Sequence, residues 1–278
     1  MISLIAIDLD DTLIAPDLHI PDENLTAIRL AIKSGVKVVI ATARGWAGAK
    51  RFYDRMGLST PIILSSGAST VDGQTGAVIR RSYLPLSFAR DVVTFADEQQ
   101  IALRVYVGSE VWNNFDYDPS NGKNKTIEIH VENLVQKLVE APFQIFVKGE
   151  REAKLILERF GSEGDGYRCR HHVYADGIPE LNILHPRSTK QDALADLCAA
   201  FDVPREQVMA LGDSKNDLGM IAWAGIGVAM SWADDAVKEA ADWVLADGTA
   251  RLTQDPDAEV AEAIFHHVLQ QPKTEFAG

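Results

Sequence analysis

Residues 5–13 read IAIDLDDTL, and this segment is the strongest indication of the fold class. Its small and β-branched apolar residues are typical of a strand buried on both faces in a parallel sheet. Because side chains alternate along a strand, Asp8 and Asp10 point to one side and Leu9 to the other. Two carboxylates so close together need a cation or a proton to relieve their repulsion. The segment therefore predicts a catalytic divalent-metal site at the carboxyl edge of the sheet, where open α/β folds bind ligands.

Two other interpretations of the same segment are weaker. Helix or turn capping by Asp11 or Thr12 explains one polar residue but leaves the acidic pair unexplained. A calcium loop counted from Asp8 needs glycine at its sixth position and glutamate at its twelfth. Those positions hold Leu13 and His19, so the calcium interpretation fails.

A second acidic segment follows another short apolar run, at residues 208–217, VMALGDSKND. Asp213 lies at the end of the predicted strand, directly after Gly212, where a glycine permits close approach of another part of the chain. Asn216 and Asp217 begin the next predicted helix, where ordinary capping is the competing interpretation. Two acidic strand ends in one α/β chain favour a shared site over coincidence.

The alternation of strands and helices is interrupted once. Up to about residue 82, strand–helix–strand units of ordinary length predict parallel crossovers, followed by a hairpin near residues 68–82. From residue 83 the pattern changes to a mixture of strands and helices, including a helix near residues 133–140 and a polar stretch at residues 116–125. The helix–strand alternation resumes after residue 189. These patterns predict an α/β core with an inserted α+β domain.

Four short motifs, each at a predicted strand end or helix start, carry a resemblance to a known family. They are residues 8–13 (DLDDTL), 41–44 (ATAR), 188–190 (STK) and 212–217 (GDSKND). In this order they resemble the haloacid-dehalogenase (HAD) superfamily of phosphohydrolases, and most of all its Cof-type branch of small-metabolite phosphatases. The similarity covers both ends of the chain well and the middle poorly. It implies a Rossmann-like core with a parallel central sheet at residues 1–82 and 186–278, and an inserted cap domain at residues 83–185.

The resemblance also implies a mechanism. Asp8 would be the nucleophile that forms an aspartyl-phosphate, and Asp10 would be the general acid and base. Magnesium would be bound by Asp8, Asp213 and the backbone carbonyl of Asp10. Thr42 would hydrogen-bond a phosphoryl oxygen, and Lys190 would neutralise charge on the phosphate and on Asp8. For Thr42 the competing interpretation is an ordinary threonine at a strand end, and for Lys190 it is a solvated lysine.

Other residues are expected around this centre. Asn216 and Asp217 would orient the metal ligands, as metal sites commonly require. Contacts with substrate are expected of residues in the second motif and in the loop after the third strand, namely Ala43, Arg44, Ser66 and Gly67. For Arg44 the competing interpretation is a surface residue at a helix start. Candidate selectors of the leaving group in the cap are Arg104, Trp112, Asn113, Lys148, Arg168, Arg170 and His172, although a solvated sheet face would account for many of them.

Several positions depart from the family pattern where the substrate would lie. Ala43 and Gln191 replace usual glycines, and Ser66 replaces an asparagine. Residues 231–233, SWA, replace a typical Gly-Asn-Ala. Trp232 is therefore a candidate ligand contact, with partly buried packing as the alternative.

Composition restricts the possible partners and the compartment. The net charge of −13 argues against a nucleic-acid partner, because that affinity depends on cations meeting phosphates. No apolar run is long enough to span a bilayer, and the N-terminus lacks a basic leader. Cys169 and Cys198 are consistent with reduced thiols. We therefore expect a cytoplasmic protein, monomeric or homodimeric, with a small phosphorylated substrate and no membrane partner.

The predicted function is that of a magnesium-dependent phosphatase acting on a small phosphorylated metabolite, with a sugar phosphate as the expected substrate. A phosphomutase of the same superfamily is one alternative. A catalytically inactive metal-binding regulatory protein is another, although binding a cation alone would not require the side chain of Asp10.

Overall fold

Two compact units make up the chain: a core unit, Met1–Arg80 with Thr189–Gly278, and an inserted unit, Arg81–Ser188. The structure, a computed structural model, describes residues 1–15, 17–115, 128–173, 178–245 and 258–269, and of residues 172 and 173 only the backbone. The predicted polar stretch at residues 116–125 lies outside the described residues. No helix in these ranges has the length and apolar character needed to cross a membrane.

The first part of the core unit alternates strands and helices as predicted. Its elements are β1 (Leu4–Ile7), α1 (Asp22–Lys33), β2 (Lys37–Ile40), α2 (Trp46–Met56), β3 (Ile62–Leu64), β4 (Ser69–Val71) and β5 (Val78–Arg81). Helix α1 buries Leu25 and Ile28, as its amphipathic pattern predicts, and α2 ends at Gly57, which adopts the left-handed conformation that favours glycine. Strands β3, β4 and β5 form a small sheet that contains the predicted hairpin.

The inserted unit is an α+β sheet. Its elements are α3 (Leu86–Glu98), β6 (Leu103–Val107), β7 (Glu110–Asn113), β8 (Glu128–His130), α4 (Leu134–Lys137), β9 (Gln144–Lys148), α5 (Glu150–Phe160), β10 (Glu163–Gly164), β11 (Tyr167–Val173) and β12 (Pro179–Leu184). The strands pair in the order β10-β11-β12-β9-β6-β7-β8. Alternate residues of β6, including Leu103 and Val105, join a buried cluster with Val92 of α3 and Ile156 of α5.

One helix of the inserted unit is shorter than predicted. The sequence predicts a helix near residues 133–140, but α4 is a single turn. The Asn133 side chain caps its start by accepting a hydrogen bond from the backbone N–H of Gln136. Leu138 then leaves the helical region with a ψ of 83°, so the turn does not propagate.

The remainder of the core unit returns to helix–strand alternation. Its elements are α6 (Lys190–Ala200), β13 (Val208–Gly212), α7 (Leu218–Trp223), β14 (Ile226–Ala229), α8 (Asp235–Ala240), β15 (Trp243–Val244) and α9 (Glu259–His267). Short 3-10 turns lie at Ser65–Gly67 and Arg205–Gln207.

The central sheet of the core unit is parallel, with the strand order β15-β14-β13-β1-β2. Strand β1 lies between β13 and β2, and all of its residues are fully buried, which confirms the prediction made from the opening segment. Ile7 pairs in register with Leu211 of β13 and with Ile40 of β2. The carboxyl ends of these three strands therefore lie side by side, and the polar residues that follow them converge.

Candidate active site

Three carboxylates meet at this edge of the central sheet. Asp8, Asp213 and Asp217 each place a carboxylate oxygen within 4.8 Å of those of the other two. Asp8 follows β1 and Asp213 follows β13, and Asp217 lies at the N-terminal boundary of α7. Three oxygen-donor groups so close together are suited to a hard divalent cation, which prefers carboxylate ligands.

A buried lysine neutralises part of this cluster. The Nζ of Lys190 lies 2.5 Å from Oδ1 of Asp8 and 2.6 Å from Oδ1 of Asp217. Lys190 is the first residue of α6, whose capping residue Thr189 accepts a hydrogen bond from the backbone N–H of Asp192. Only 1 % of the lysine is exposed, so the solvated-lysine interpretation does not describe it.

The electrostatics of the cluster show a deficit of positive charge. Burial raises the pKa of Asp8 well above its ordinary value, and repulsion from Asp217 raises it further, against the opposing effect of Lys190. Burial would lower the pKa of Lys190, but Asp217 and Asp8 outweigh this and raise it. Burial raises the pKa of Asp213 to about 6, partly opposed by a hydrogen bond from Thr12. A further cation would relieve these costs, so the residues present are suited to a divalent metal ion.

Thr12, for which the sequence indicates only a capping role, is also a site residue. Its Oγ1 donates to Oδ1 of Asp213 at 2.8 Å, and its side chain is buried. The contact fixes the orientation of a carboxylate from a loop 201 positions away in the sequence. The position of Thr12, directly after the acidic residues at the end of β1, was the available signal.

Asp217 has more contacts than its predicted orienting role required. In addition to Lys190, its carboxylate accepts from the backbone N–H of Ser214 at 3.1 Å and from the hydroxyl of Ser214 at 2.9 Å. Gly212 makes this packing possible, since a Cβ there would lie 2.5 Å from Cγ of Asp217. This is the close approach that the glycine predicts.

The side chain of Asp10 is paired with Arg44. The Nε of Arg44 donates to Oδ2 of Asp10 at 2.8 Å, and its Nη2 contacts Oδ1. The Arg44 backbone N–H donates to Oγ1 of Thr42 at 3.1 Å, and its guanidinium lies 5.3 Å from the ring centre of Phe52. Arg44 is therefore held beside Asp10 and does not occupy an isolated surface position.

The remaining predicted residues come from the neighbouring loops. Thr42, after β2, is fully buried, whereas Ala43 is exposed. The Nδ2 of Asn216 donates to Oγ of Ser66 at 3.2 Å, which joins the loops after β13 and β3. Gly67 has a φ of +92°, and a Cβ there would lie 2.0 Å from the carbonyl oxygen of Thr189. The Gly67 loop therefore packs directly against the segment that presents Lys190.

The candidate selectors of the inserted unit contact other residues of that unit. Arg104 and Asn113 both donate to Oε2 of Glu128, and the buried Trp112 donates to Glu110. Lys148 and Arg168 form ion pairs with glutamates, and Arg170 donates to a backbone carbonyl. The side chain of His172 lies outside the described residues.

Together the fold and the site define a Rossmann-like α/β enzyme with an acidic, lysine-containing centre. A family model described as haloacid dehalogenase-like hydrolase matches residues 5–250. The chain belongs to this family, and within it to the Cof type.

Two relatives that match over most of their length are phosphatases. A 5-amino-6-(5-phospho-D-ribitylamino)uracil phosphatase of Bacillus subtilis, YcsE, is 31% identical over 278 residues, with 96% of each chain covered. A second Bacillus subtilis phosphatase of that description, YitU, is 28% identical, with 91% of this chain and 96% of the relative covered. A haloacid dehalogenase-like hydrolase of Bacteroides thetaiotaomicron has the same fold, with a TM-score of 0.75, 23% identity and coverage of 96% of this chain and 99% of that chain. The protein is thus a phosphoric monoester hydrolase that acts on small phosphorylated molecules.

Proposed function

We propose that this enzyme is a Mg²⁺-dependent phosphatase that hydrolyses a sugar phosphate or a closely related metabolite through an aspartyl-phosphate on Asp8. The single observation that carries the proposal is the buried Asp8 carboxylate, which is held by Lys190 beside two further carboxylates. A carboxylate is a nucleophile in its ionised form, and because burial raises the pKa of Asp8, the charges of Lys190 and of the bound cation would keep Asp8 ionised. Its difficulty is repulsion from an anionic phosphoryl group, and the surroundings of Asp8 are suited to reducing that repulsion.

The ion would be held by Asp8 and Asp213, with the backbone carbonyl of Asp10 as the third protein ligand. Both carboxylate oxygens of Asp217 already accept hydrogen bonds, one from Lys190 and the other from Ser214. The proposed role of Asp217 is therefore to orient the lysine and the loop that carries Asp213. When bound, Mg²⁺ supplies positive charge and orients the phosphoryl oxygens.

In the first chemical step, a carboxylate oxygen of Asp8 attacks phosphorus and the bond to the leaving oxygen breaks. Asp10 gives its proton to that oxygen. In the second step, water attacks phosphorus, Asp10 accepts a proton from the water, and the bond to Asp8 breaks to release phosphate. Lys190 orients Asp8 by holding one of its oxygens, and Thr42 would donate to the transferring group.

Arg44 affects both of these roles of Asp10. Both oxygens of Asp10 contact the Arg44 guanidinium, so one of them must leave that contact before it can accept a proton from water in the second step. To donate a proton in the first step, Asp10 must hold that proton, so its contact with Arg44 would loosen when substrate binds.

Substrate selection is proposed to involve the inserted unit as a cap that chooses the leaving group. The sugar-phosphate class is supported by the names of YcsE and YitU, whose substrate carries its phosphate on a ribityl chain. The panel that tests this class should therefore include phosphates of sugars and of sugar alcohols.

The proposal is tested by measuring phosphate release from this panel and from p-nitrophenyl phosphate, with Mg²⁺ and with a chelator. Asp8→Asn should lose at least about a thousandfold in kcat while keeping its circular dichroism spectrum, because an amide is a far poorer nucleophile. The control, Asp22→Asn, removes an exposed carboxylate at the start of α1. Substantial phosphatase activity in Asp8→Asn would contradict the nucleophile assignment. Transfer between positions of a bisphosphorylated sugar without phosphate release would indicate a mutase.

A further inference from the structure

The loop after β14, residues 230–234, is fixed to the strand end that carries Asp213. The backbone N–H of Met230 donates to the carbonyl of Gly212 at 3.2 Å, and that of Asp234 donates to the carbonyl of Asp213 at 2.9 Å. A further hydrogen bond closes the loop on itself, from Ala233 N–H to the Met230 carbonyl at 3.0 Å. The middle of the loop is therefore held at a defined place beside the acidic cluster.

Trp232 lies in the middle of this loop, and its indole is anchored by one edge. Its Nε1 donates to the backbone carbonyl of Asp11 at 2.7 Å. Asp11 directly follows Asp10 and has a φ of 56°, a left-handed conformation that is uncommon for a residue with a side chain. The only polar atom of the indole is thus satisfied, and the ring is fixed against the loop that carries both proposed catalytic carboxylates.

Burial in the core does not explain this tryptophan. Trp232 is 47% exposed, whereas the other four tryptophans are buried or half-buried. A rigid, partly exposed aromatic ring can contact a ligand at little cost in side-chain entropy, because few rotamers remain to be lost. The position also departs from the Gly-Asn-Ala of the family pattern, so an apolar ring stands where that pattern has a small polar side chain.

We infer that Trp232 is a specificity-determining residue whose indole stacks on a planar ring in the leaving group of the substrate. The inference rests on the proposed function, in which Asp10 protonates the leaving oxygen. The Trp232 anchor, Asp11, directly follows Asp10, so the exposed indole is attached to the loop that carries the proposed acid. The substrate class is a phosphomonoester whose alcohol part carries an unsaturated ring, such as a heterocycle.

Two synthetic esters separate the contribution of a ring from that of the phosphate. 2-Phenylethyl phosphate and n-butyl phosphate have alkoxide leaving groups of similar basicity and differ mainly in the ring. The wild-type enzyme is expected to favour the phenyl ester about tenfold in kcat/KM, mostly through KM, as stacking contacts allow. Trp232→Ala should remove this preference, and Trp232→Phe should retain most of it. Tyr83→Ala removes an equally exposed aromatic side chain, 46% exposed, and should leave the preference as it is in wild type.

A binding measurement gives an independent readout. In the Asp8→Asn background, which binds without turnover, 2-phenylethyl phosphate should change the tryptophan fluorescence, and Asp8→Asn/Trp232→Phe should lose that change. Equal losses on both esters in Trp232→Ala, or no preference in the wild type, would overturn the inference while leaving the phosphatase mechanism intact. If the wild-type enzyme turns over neither ester, the inference is overturned when 2-phenylethyl phosphate causes no fluorescence change in Asp8→Asn. Failure of the proposed function is recognised separately, by phosphatase activity that survives Asp8→Asn.

Discussion

Lys190 and Asp8 stand 182 positions apart in the chain, yet the lysine Nζ lies 2.5 Å from Oδ1 of the aspartate in the interior of the core unit. The same ammonium group contacts Asp217 at 2.6 Å. A buried ion pair adds little net stability when it is complete, because both groups lose their hydration. Removing one partner is costly, because the remaining charge stays buried without compensation. The positive charge of Lys190 therefore compensates for two buried carboxylates, those of Asp8 and Asp217, at one site.

The first prediction concerns the stability of this arrangement. Lys190→Met leaves Asp8 and Asp217 without their cation, so the free energy of unfolding in metal-free buffer at pH 7 should fall by about 3–5 kcal/mol. Urea denaturation measures the change. Lys50→Met is the matched control, because its ammonium pairs with Asp54 on the surface of α2, and it should cost less than about 1 kcal/mol. Similar costs for the two variants would show that burial of the Lys190 pair does not determine its contribution.

The second prediction concerns Thr12. Thr12→Val keeps the shape of the side chain but removes the hydroxyl that orients Asp213. Mg²⁺ should bind about tenfold more weakly or worse, as for other residues that orient metal ligands. Isothermal titration calorimetry with Mg²⁺ measures the effect. Thr26→Val, which removes a hydroxyl bonded to a backbone carbonyl on the exposed side of α1, should bind Mg²⁺ as the wild type does. An unchanged Mg²⁺ affinity in Thr12→Val would refute the orienting role.

The third prediction concerns pH. Burial raises the pKa of Asp213 to about 6, and the carboxyl group must lose its proton before it can bind a cation. Mg²⁺ affinity should therefore fall as pH is lowered through 6. At pH 5 it should be at least about tenfold weaker than at neutral pH, because the raised pKa of Asp8 adds to the effect of Asp213. Calorimetric titrations at the two pH values measure this difference, and equal affinities would contradict it.

The metal-free protein should show the opposite trend in stability. Because the pKa of Asp213 is higher in the folded state than in the unfolded chain, the folded state binds more protons between these two values. The contribution of this group to the free energy of unfolding therefore grows as pH falls from above 6 towards 4. Comparison with Asp213→Asn in chelator, by thermal denaturation across this range, isolates the contribution.

The fourth prediction concerns Asp10. Asp10→Asn cannot protonate the leaving oxygen, and this matters most for alkyl phosphates, whose leaving groups are strongly basic. Turnover of n-butyl phosphate should fall by about 10²–10⁴, and the first step should slow less with p-nitrophenyl phosphate, whose leaving group needs no proton. Single-turnover measurements of alcohol release isolate this step. Asp17→Asn, an exposed substitution on the same loop, is the control. An equal loss on both esters would contradict the acid role.

Much of this protein can be predicted from sequence because the signal is local. The apolar residues of β1 and β13 predict buried parallel strands, and the carboxylates after them predict an acidic edge of the sheet. The order of the motifs predicts the family, which the comparison over residues 5–250 confirms. The α/β fold class is confirmed as well. The roles of the individual site residues stay predictions that the experiments above address.

The pairing of side chains, in contrast, depends on how the whole chain folds. The contacts of Arg44 with Asp10, Thr12 with Asp213 and Asn216 with Ser66 join loops that are 34 to 201 positions apart in the chain. A strand pattern specifies that a side chain emerges at a sheet edge, but not its rotamer or the neighbour that satisfies its charge. Those are fixed by the packing of all the loops at once, because each buried polar group must find a partner among the groups that the completed fold brings near. The exposure of Trp232 also depends on the complete fold, because the other loops determine which surfaces stay uncovered.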